Sequence, residues 1–337
     1  MQKNKGIKYY ILLILLLSFC NVYSQVSGNK YAGEFLAIGV GGRPLGMGGA
    51  YVALVNDVTA GYWNPALLSK LNYPQISLMH DARFSNLVNY DYGSVGIPFG
   101  KNASLGISII RMGIDDIPDT RNALINNGSG ELRLDDDKIT RFSTTDYAFF
   151  LTYSKKHNDK LSYGANLKIL RRNIAEASAW GLGFDVGVAY SPFTRLLLGM
   201  NLQDITTTYI SWTTGKNELI TPTAKIGSAY MIDFFKGILT PAVDFDVRFE
   251  NRQSSANAYI GPVSFDMHAG LEYTFQNLFS IRAGYNELGN LTLGAGVKLP
   301  KLNIDYSFVK FDNEEALGNT HRISLVFTLE EDKFQRK

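Results

Sequence analysis

Cysteine is almost missing from this chain: Cys20 is the single one in 337 residues. Also missing is any apolar run near the ~20 residues that a membrane-spanning helix needs, since the longest, Ile11 to Cys20, is about half of that. A helical membrane anchor is thereby excluded. No basic patch is interleaved with aromatics, so nucleic acid is not an expected partner. His80, His157, His268 and His321 are scattered without metal-ligand spacing. The glycine cluster around residue 46 contains no G-x-G-x-x-G, because Pro44 interrupts it, and no strand of a βαβ unit precedes it. No nucleophile elbow occurs either. These absences point away from an enzyme and from any cofactor or metal.

The first residues are read as an export signal. Lys3, Lys5 and Lys8 form a positive region, Ile11 to Cys20 an apolar one, and Val22-Tyr23-Ser24 a cleavage site before Gln25. Residues 1–24 are therefore expected to be removed. Cys20 would be the lipidated residue of a lipoprotein, but Phe19 before it fits that signal poorly. Loss of three lysines and no acids takes the formal net charge from +2 to −1. The remaining chain lacks cysteine, which excludes disulfides, thiolate chemistry and cysteine-ligated metals.

What is abundant is glycine, at 32 residues, and aromatics, at 12%. Both are explained by alternation with period two. Leu291, Leu293, Ala295, Val297 and Leu299 share one face of a segment whose other face is Thr292, Gly294, Gly296 and Lys298. The same pattern sets Leu182, Phe184, Val186, Val188 and Tyr190 against Gly183, Asp185, Gly187 and Ala189. It recurs around Ile281, Ile304 and Ile323. Such runs predict about fourteen strands, near 75–81, 88–97, 103–112, 144–154, 160–170, 182–191, 194–202, 223–233, 238–248, 265–274, 279–286, 291–298, 302–311 and 320–329.

Connections after even strands are tight, as at Phe99 to Asn102, Pro192-Phe193 and Pro300-Lys301. Those after odd strands are mostly long: 113–143, 171–181, 203–222, 249–264 and 312–319. Strands of about ten residues with one apolar face, short turns at one end and long loops at the other, predict an outer-membrane β-barrel. Lipid offers the backbone no hydrogen bonds, so a spanning sheet must close on itself. Tyr90, Tyr92, Tyr190, Tyr273, Phe275, Phe308 and Phe311 near strand ends are expected to form aromatic girdles. The predicted organisation is a plug segment over 25–73, a transmembrane barrel over 74–330 and a charged periplasmic tail over 331–337. Membrane lipid and lipopolysaccharide are the surroundings this implies.

Residues 32–71 differ from everything after them. They are nearly uncharged, with Gly39, Gly41, Gly42, Gly46, Gly48 and Gly49 followed by Trp63-Asn64-Pro65-Ala66. Asn64 is a favourable N-cap and Pro65 suits the first turn of a short helix. Glycine lets a backbone approach a wall closely, and small inward positions at Gly183, Gly187, Gly294 and Gly296 leave room. A plug is expected that starts in the periplasm and fills the lumen, its motif being these six glycines with Asn64, Pro65 and Ala66. The run Phe35 to Ala53, then Asn56-Asp57 and Tyr62 to Ala66, resembles the opening of the PorV/PorQ family, which is related to the FadL fatty-acid transporters. Pro44 and Leu67 depart from the commoner residues there. The resemblance implies a fourteen-stranded FadL-type barrel with an N-terminal hatch and a part in type IX protein secretion. Its implied partners are translocon or attachment-complex proteins and the C-terminal sorting domains of cargo.

Two functions follow as expectations. A secretion accessory would dock protein on the segment 113–143, whose Ile114, Ile117, Leu124, Ile125, Leu132 and Leu134 are apolar for a solvated loop. A FadL-like channel would instead admit hydrophobic small molecules past lumen-facing residues such as Ile110 and Val326. Arg282, Arg322 and Lys298 are expected to face inward and pair with Asp185, Glu272 and Asp305, or to meet an anionic head group. Asp135-Asp136-Asp137 is expected to be a solvated acidic turn.

Overall fold

Alternation puts every second side chain on the same face of a strand, and here it closes a cylinder. The computed structural model describes residues 33–83, 87–126, 132–310 and 320–336; the predicted signal peptide and Phe311 lie outside them. The wall is made of β1 (Gln75–Arg83), β2 (Val88–Phe99), β3 (Ala103–Asp119), β4 (Thr140–Lys156), β5 (Leu161–Ile174), β6 (Ala177–Phe193) and β7 (Leu196–Gln203). It continues through β8 (Thr223–Tyr230), β9 (Gly237–Arg248), β10 (Val263–Phe275), β11 (Phe279–Tyr285), β12 (Leu291–Leu299), β13 (Leu302–Val309) and β14 (Thr320–Thr328). Each strand pairs antiparallel with the next, and β14 returns to β1 with Gln75 opposite Thr328, giving a closed barrel of 14 strands. Closure removes both sheet edges, as a lipid environment requires.

The two faces separate as alternation predicts. Ile107, Leu151, Ile281, Leu293 and Ile323 point outward and are exposed, whereas Asp185, Asn201, Glu272, Arg282 and Arg322 point inward and are buried. The lumen therefore holds the polar side chains, and lipid meets the aliphatic ones. Leu151 sits five residues above the β4 turn end and is 49% exposed. Leu151→Arg should cost about 2–4 kcal/mol of insertion stability, read as a lower folded fraction on semi-native gels after refolding into vesicles.

At the turn end Phe99, Phe193, Phe235 and Phe279 are exposed, and Tyr190 joins them as expected. Tyr90 and Tyr92 do not belong to a girdle. Both are buried on the lumen side of β2, because their parity in the strand is that of Ser94 and not of Val95.

The loop end departs from expectation in two places. Residues 171–181 form no long loop: β5 and β6 run on as a tall hairpin turning at Ala175 and Glu176, with Ala175 at φ 49°. No Gly, Pro or Asn marks that turn, which hid it. Likewise β3 continues to Asp119, through a register shift between Ile114 and Ile117 against β4, with Asp116 at φ 60°. At about 3.3 Å per residue, strands of 17 residues greatly exceed an apolar band of ~25 Å. The β3–β6 side consequently projects beyond the bilayer. Two hairpins extend this rim, Leu124–Asn126 with Leu132–Leu134 and Thr208–Trp212 with Asn217–Ile220; the second also pairs with the upper part of β6.

Candidate functional site: the plug and the cavity above it

Residues 33–71 fill the lumen, while the start of the expected plug, residues 25–32, lies outside the described residues. Gly33 lies beside Ile220 and the Phe35 ring sits 5.9 Å from the Arg172 guanidinium, both at the loop end. The described segment thus descends from the loop end, and Leu71 reaches the turn end, where β1 starts.

A chain with so little regular structure must satisfy its backbone polar groups otherwise, and the wall does this with side chains. Asp244 accepts from the backbone N–H of Tyr51 at 2.6 Å and of Val52 at 2.8 Å. Ser324 accepts from Gly42 N–H at 2.8 Å. Asn166 donates to Gly61 O at 2.8 Å, Asn201 to Trp63 O at 3.0 Å and Ser154 to Ala66 O at 2.7 Å. Asn64 caps the 3-10 helix Pro65–Lys70 by accepting from Ala66 N–H at 3.1 Å, and donates to Val52 O at 3.0 Å and Val188 O at 3.2 Å.

One ion-pair group ties the plug to the wall. Arg43 binds Glu272 in bidentate fashion, with both N···O distances 2.8 Å. Glu272 also accepts from Arg282 Nε at 2.6 Å, and Arg282 reaches Asp305 at 2.8 Å. Arg282 therefore pairs as expected with Glu272 and Asp305. Arg322 pairs instead with Asp81, Asp185 with Lys168, and Lys298 is exposed at the turn end beside Asn277.

Backbone contact explains the small wall residues. A Cβ on Gly187 would fall 2.3 Å from Asn64 Oδ1, one on Gly294 3.0 Å from Gly46 Cα, and one on Gly284 2.2 Å from Gly48 N. Gly183 and Gly296 face wall side chains, Thr208 and Asp305, and make no room for the plug. Of the six motif glycines, Gly39, Gly41, Gly48 and Gly49 adopt positive φ, while Gly42 and Gly46 lie against β13 and β12. Pro65 and Ala66 pack on Gly164. The apolar side chains Val40, Met47, Tyr51, Trp63, Leu67 and Leu68 form the core with Met79, Tyr90, Tyr92, Ile110 and Phe150 of the wall.

The tail closes the turn end. Arg336 donates to the carbonyls of Leu71 at 2.6 Å and Ala103 at 2.6 Å, to Ser69 O at 3.2 Å and to Ser104 Oγ at 2.6 Å. Nothing in the sequence singles this arginine out. Arg336→Ala should leave the barrel assembled and raise several-fold the maleimide labelling of a cysteine placed at Ser69, measured in spheroplasts with the turn end accessible.

At the loop end the plug stops short of filling the lumen, and a cavity of about 210 Å³ remains. Ile38, Leu45 and Trp63 of the plug line one side, while Arg83, Arg248, His268 and Arg322 line the wall side. His268 is a lumen residue in mid-strand, and its Nδ1 lies 2.8 Å from Gly48 O. Ile110 and Val326 are buried facing inward, as expected, but Ile110 belongs to the packed core. The acidic run forms a 3-10 turn at Asp136–Lys138, with Lys138 3.1 Å from Asp135.

Leu124 and Leu134 stand opposite each other on the outer hairpin and are 57% and 54% exposed, whereas Ile114 and Ile117 are half-buried in β3. The side chains of Ile125 and Leu132 lie outside the described residues.

No protein-family model and no curated protein matches this sequence. Solved structures do. The toluene transporter TodX of Pseudomonas putida superposes with a TM-score of 0.61 at 12% identity, over 87% of this chain and 99% of TodX. A FadL homologue of Pseudomonas aeruginosa gives 0.57 at 12% identity, over 86% and 98%. The monoaromatic hydrocarbon channel CymD gives 0.56 at 14% identity, over 87% and 98%. With its closed wall and occupied lumen, the chain has the FadL-type fold, an outer-membrane barrel architecture of 14 strands.

Proposed function

We propose that this protein is a non-catalytic channel that admits small, largely hydrophobic molecules across the outer membrane. The observation behind this reading is the cavity above the plug, bounded by Trp63 and Leu45 below and reached from the loop end beside the exposed Leu288. A molecule arriving from outside meets this space first. Further passage requires part of the plug to shift, because the hydrogen bonds from Asp244, Ser324 and Asn201 close the lumen beneath it. Each such bond contributes about 0.5–1.5 kcal/mol net, so a local rearrangement costs far less than expulsion of the whole plug. The fold shared with a toluene transporter and a monoaromatic hydrocarbon channel supports the same reading. Uptake of labelled toluene by cells lacking the gene should fall relative to the complemented strain, and unchanged uptake would count against the channel.

A second reading is a surface accessory of type IX secretion that binds cargo sorting domains or translocon proteins. It rests on the PorV/PorQ-like run over residues 35–66 and on the exposed Leu124 and Leu134 of the outer hairpin. Deleting 120–136 should then abolish co-purification of exported cargo while toluene uptake persists. Capture that survives the deletion removes the hairpin as a docking surface.

A further inference from the structure

We propose that the cavity above the plug recognises a small carboxylate with an aromatic or short aliphatic body, an inference that rests on the channel reading and names its substrate class. The cavity is two-sided. Ile38, Leu45 and Trp63 offer an apolar floor, and positive charge comes from Arg248, Arg322 and Lys225 of the wall and from Arg252 in the loop after β9. Acids behind them neutralise part of this charge. Asp246 takes Lys225, Asp266 takes Arg252, and Asp81 takes Nε and Nη2 of Arg322. Glu34 and Glu287 also line the space, Glu287 lying 3.4 Å from His268.

The pairing leaves specific donors over. Arg322 is 3% exposed, and its Nη1 has no hydrogen-bond partner. Arg248 approaches Asp246 and Asp266 only at 3.9 Å, beyond hydrogen-bonding distance, and its Nε is buried without a partner. A buried donor left unmade is costly, and a guanidinium fork matches a planar carboxylate. Both arginines line the same cavity, so a carboxylate there would meet their positive charge while its body lay on the side of Trp63 and Leu45. The volume of about 210 Å³ exceeds the ~150 Å³ of a cavity that holds benzene. A ligand of roughly benzoate size therefore fits.

The test compares benzoate with benzyl alcohol, matched in size and unlike in charge, by equilibrium dialysis against the purified full-length barrel in detergent. Benzoate should bind at least about tenfold more tightly, and Arg248→Gln should weaken benzoate binding more than benzyl alcohol binding and so shrink that ratio. Equal binding of the two by the wild-type protein overturns the carboxylate inference and leaves the channel reading standing. Binding of neither, together with unchanged toluene uptake in the deletion strain, overturns both. Should Arg248→Gln fail to assemble, the wild-type comparison decides alone.

Discussion

Gly284→Val is expected to give a barrel that assembles but cannot seat its plug, and so leaks. A Cβ at 284 would lie 2.2 Å from Gly48 N and 2.3 Å from Met47 C, and one at 48 would lie 2.6 Å from Tyr285 N and O. Backbone meets backbone at this point, so no side-chain rotation relieves the clash. Overpacking in an adaptable core costs about 1–3 kcal/mol; here the alternative is to lift residues 46–49 away from the wall. That movement also breaks the contact between His268 and Gly48 O, 2.8 Å long. Increased killing by large antibiotics and a raised single-channel conductance would report the gap. Gly93→Ala serves as control, since a Cβ there meets only Ile109 Cγ2 at 3.5 Å and Leu78 Cδ2 at 3.8 Å, both ordinary contacts. A tight, fully resistant Gly284→Val strain with normal protein levels would show that the plug does not lie against β11.

Glu272→Ala should loosen the plug by a different route. This carboxylate serves Arg43 of the plug and Arg282 of the wall at once. Its loss leaves two guanidinium groups in a buried space, with Asp305 still paired to Arg282. Removing one partner of a buried ion pair costs about 3–5 kcal/mol. The expected result is a lower temperature for heat-induced loss of the compact gel mobility, with increased leak. Arg43→Met added to Glu272→Ala should restore much of that loss, because the residues act as one unit and their effects are not additive. Simple additivity of the two changes would show that they do not share this group.

Strands were legible wherever one face met lipid. Leu291 to Leu299 and Leu182 to Tyr190 alternate because outward positions must be apolar and inward ones need not be, and that asymmetry is written into single residues. Legibility failed where it relaxed. At the hairpin tip, residues 173–178, both faces are exposed or half-buried, so the strands near Ala175 lose their pattern and look like a loop. Tyr90 and Tyr92 look like girdle residues because an aromatic suits either side of β2; only the plug packed against them places them inside.

The candidate site divides in the same way. Gly48, Gly49, Asn64 and Pro65 could be picked out from local chemistry, since positive φ, capping and the first turn of a helix are properties of a few consecutive residues. The partners of those residues could not. Asp244 is distant by 193 positions from Tyr51, Glu272 by 229 from Arg43 and Arg336 by 265 from Leu71. By itself the sequence determined a closed membrane barrel with a glycine-rich insert, because period two, loop rhythm and turn residues are local constraints imposed by lipid and by the backbone. The tertiary structure alone decided which way the insert runs, which carboxylates hold it and which arginines are left facing a cavity. Those depend on strand register around the closed wall, and register brings together side chains that no local pattern relates.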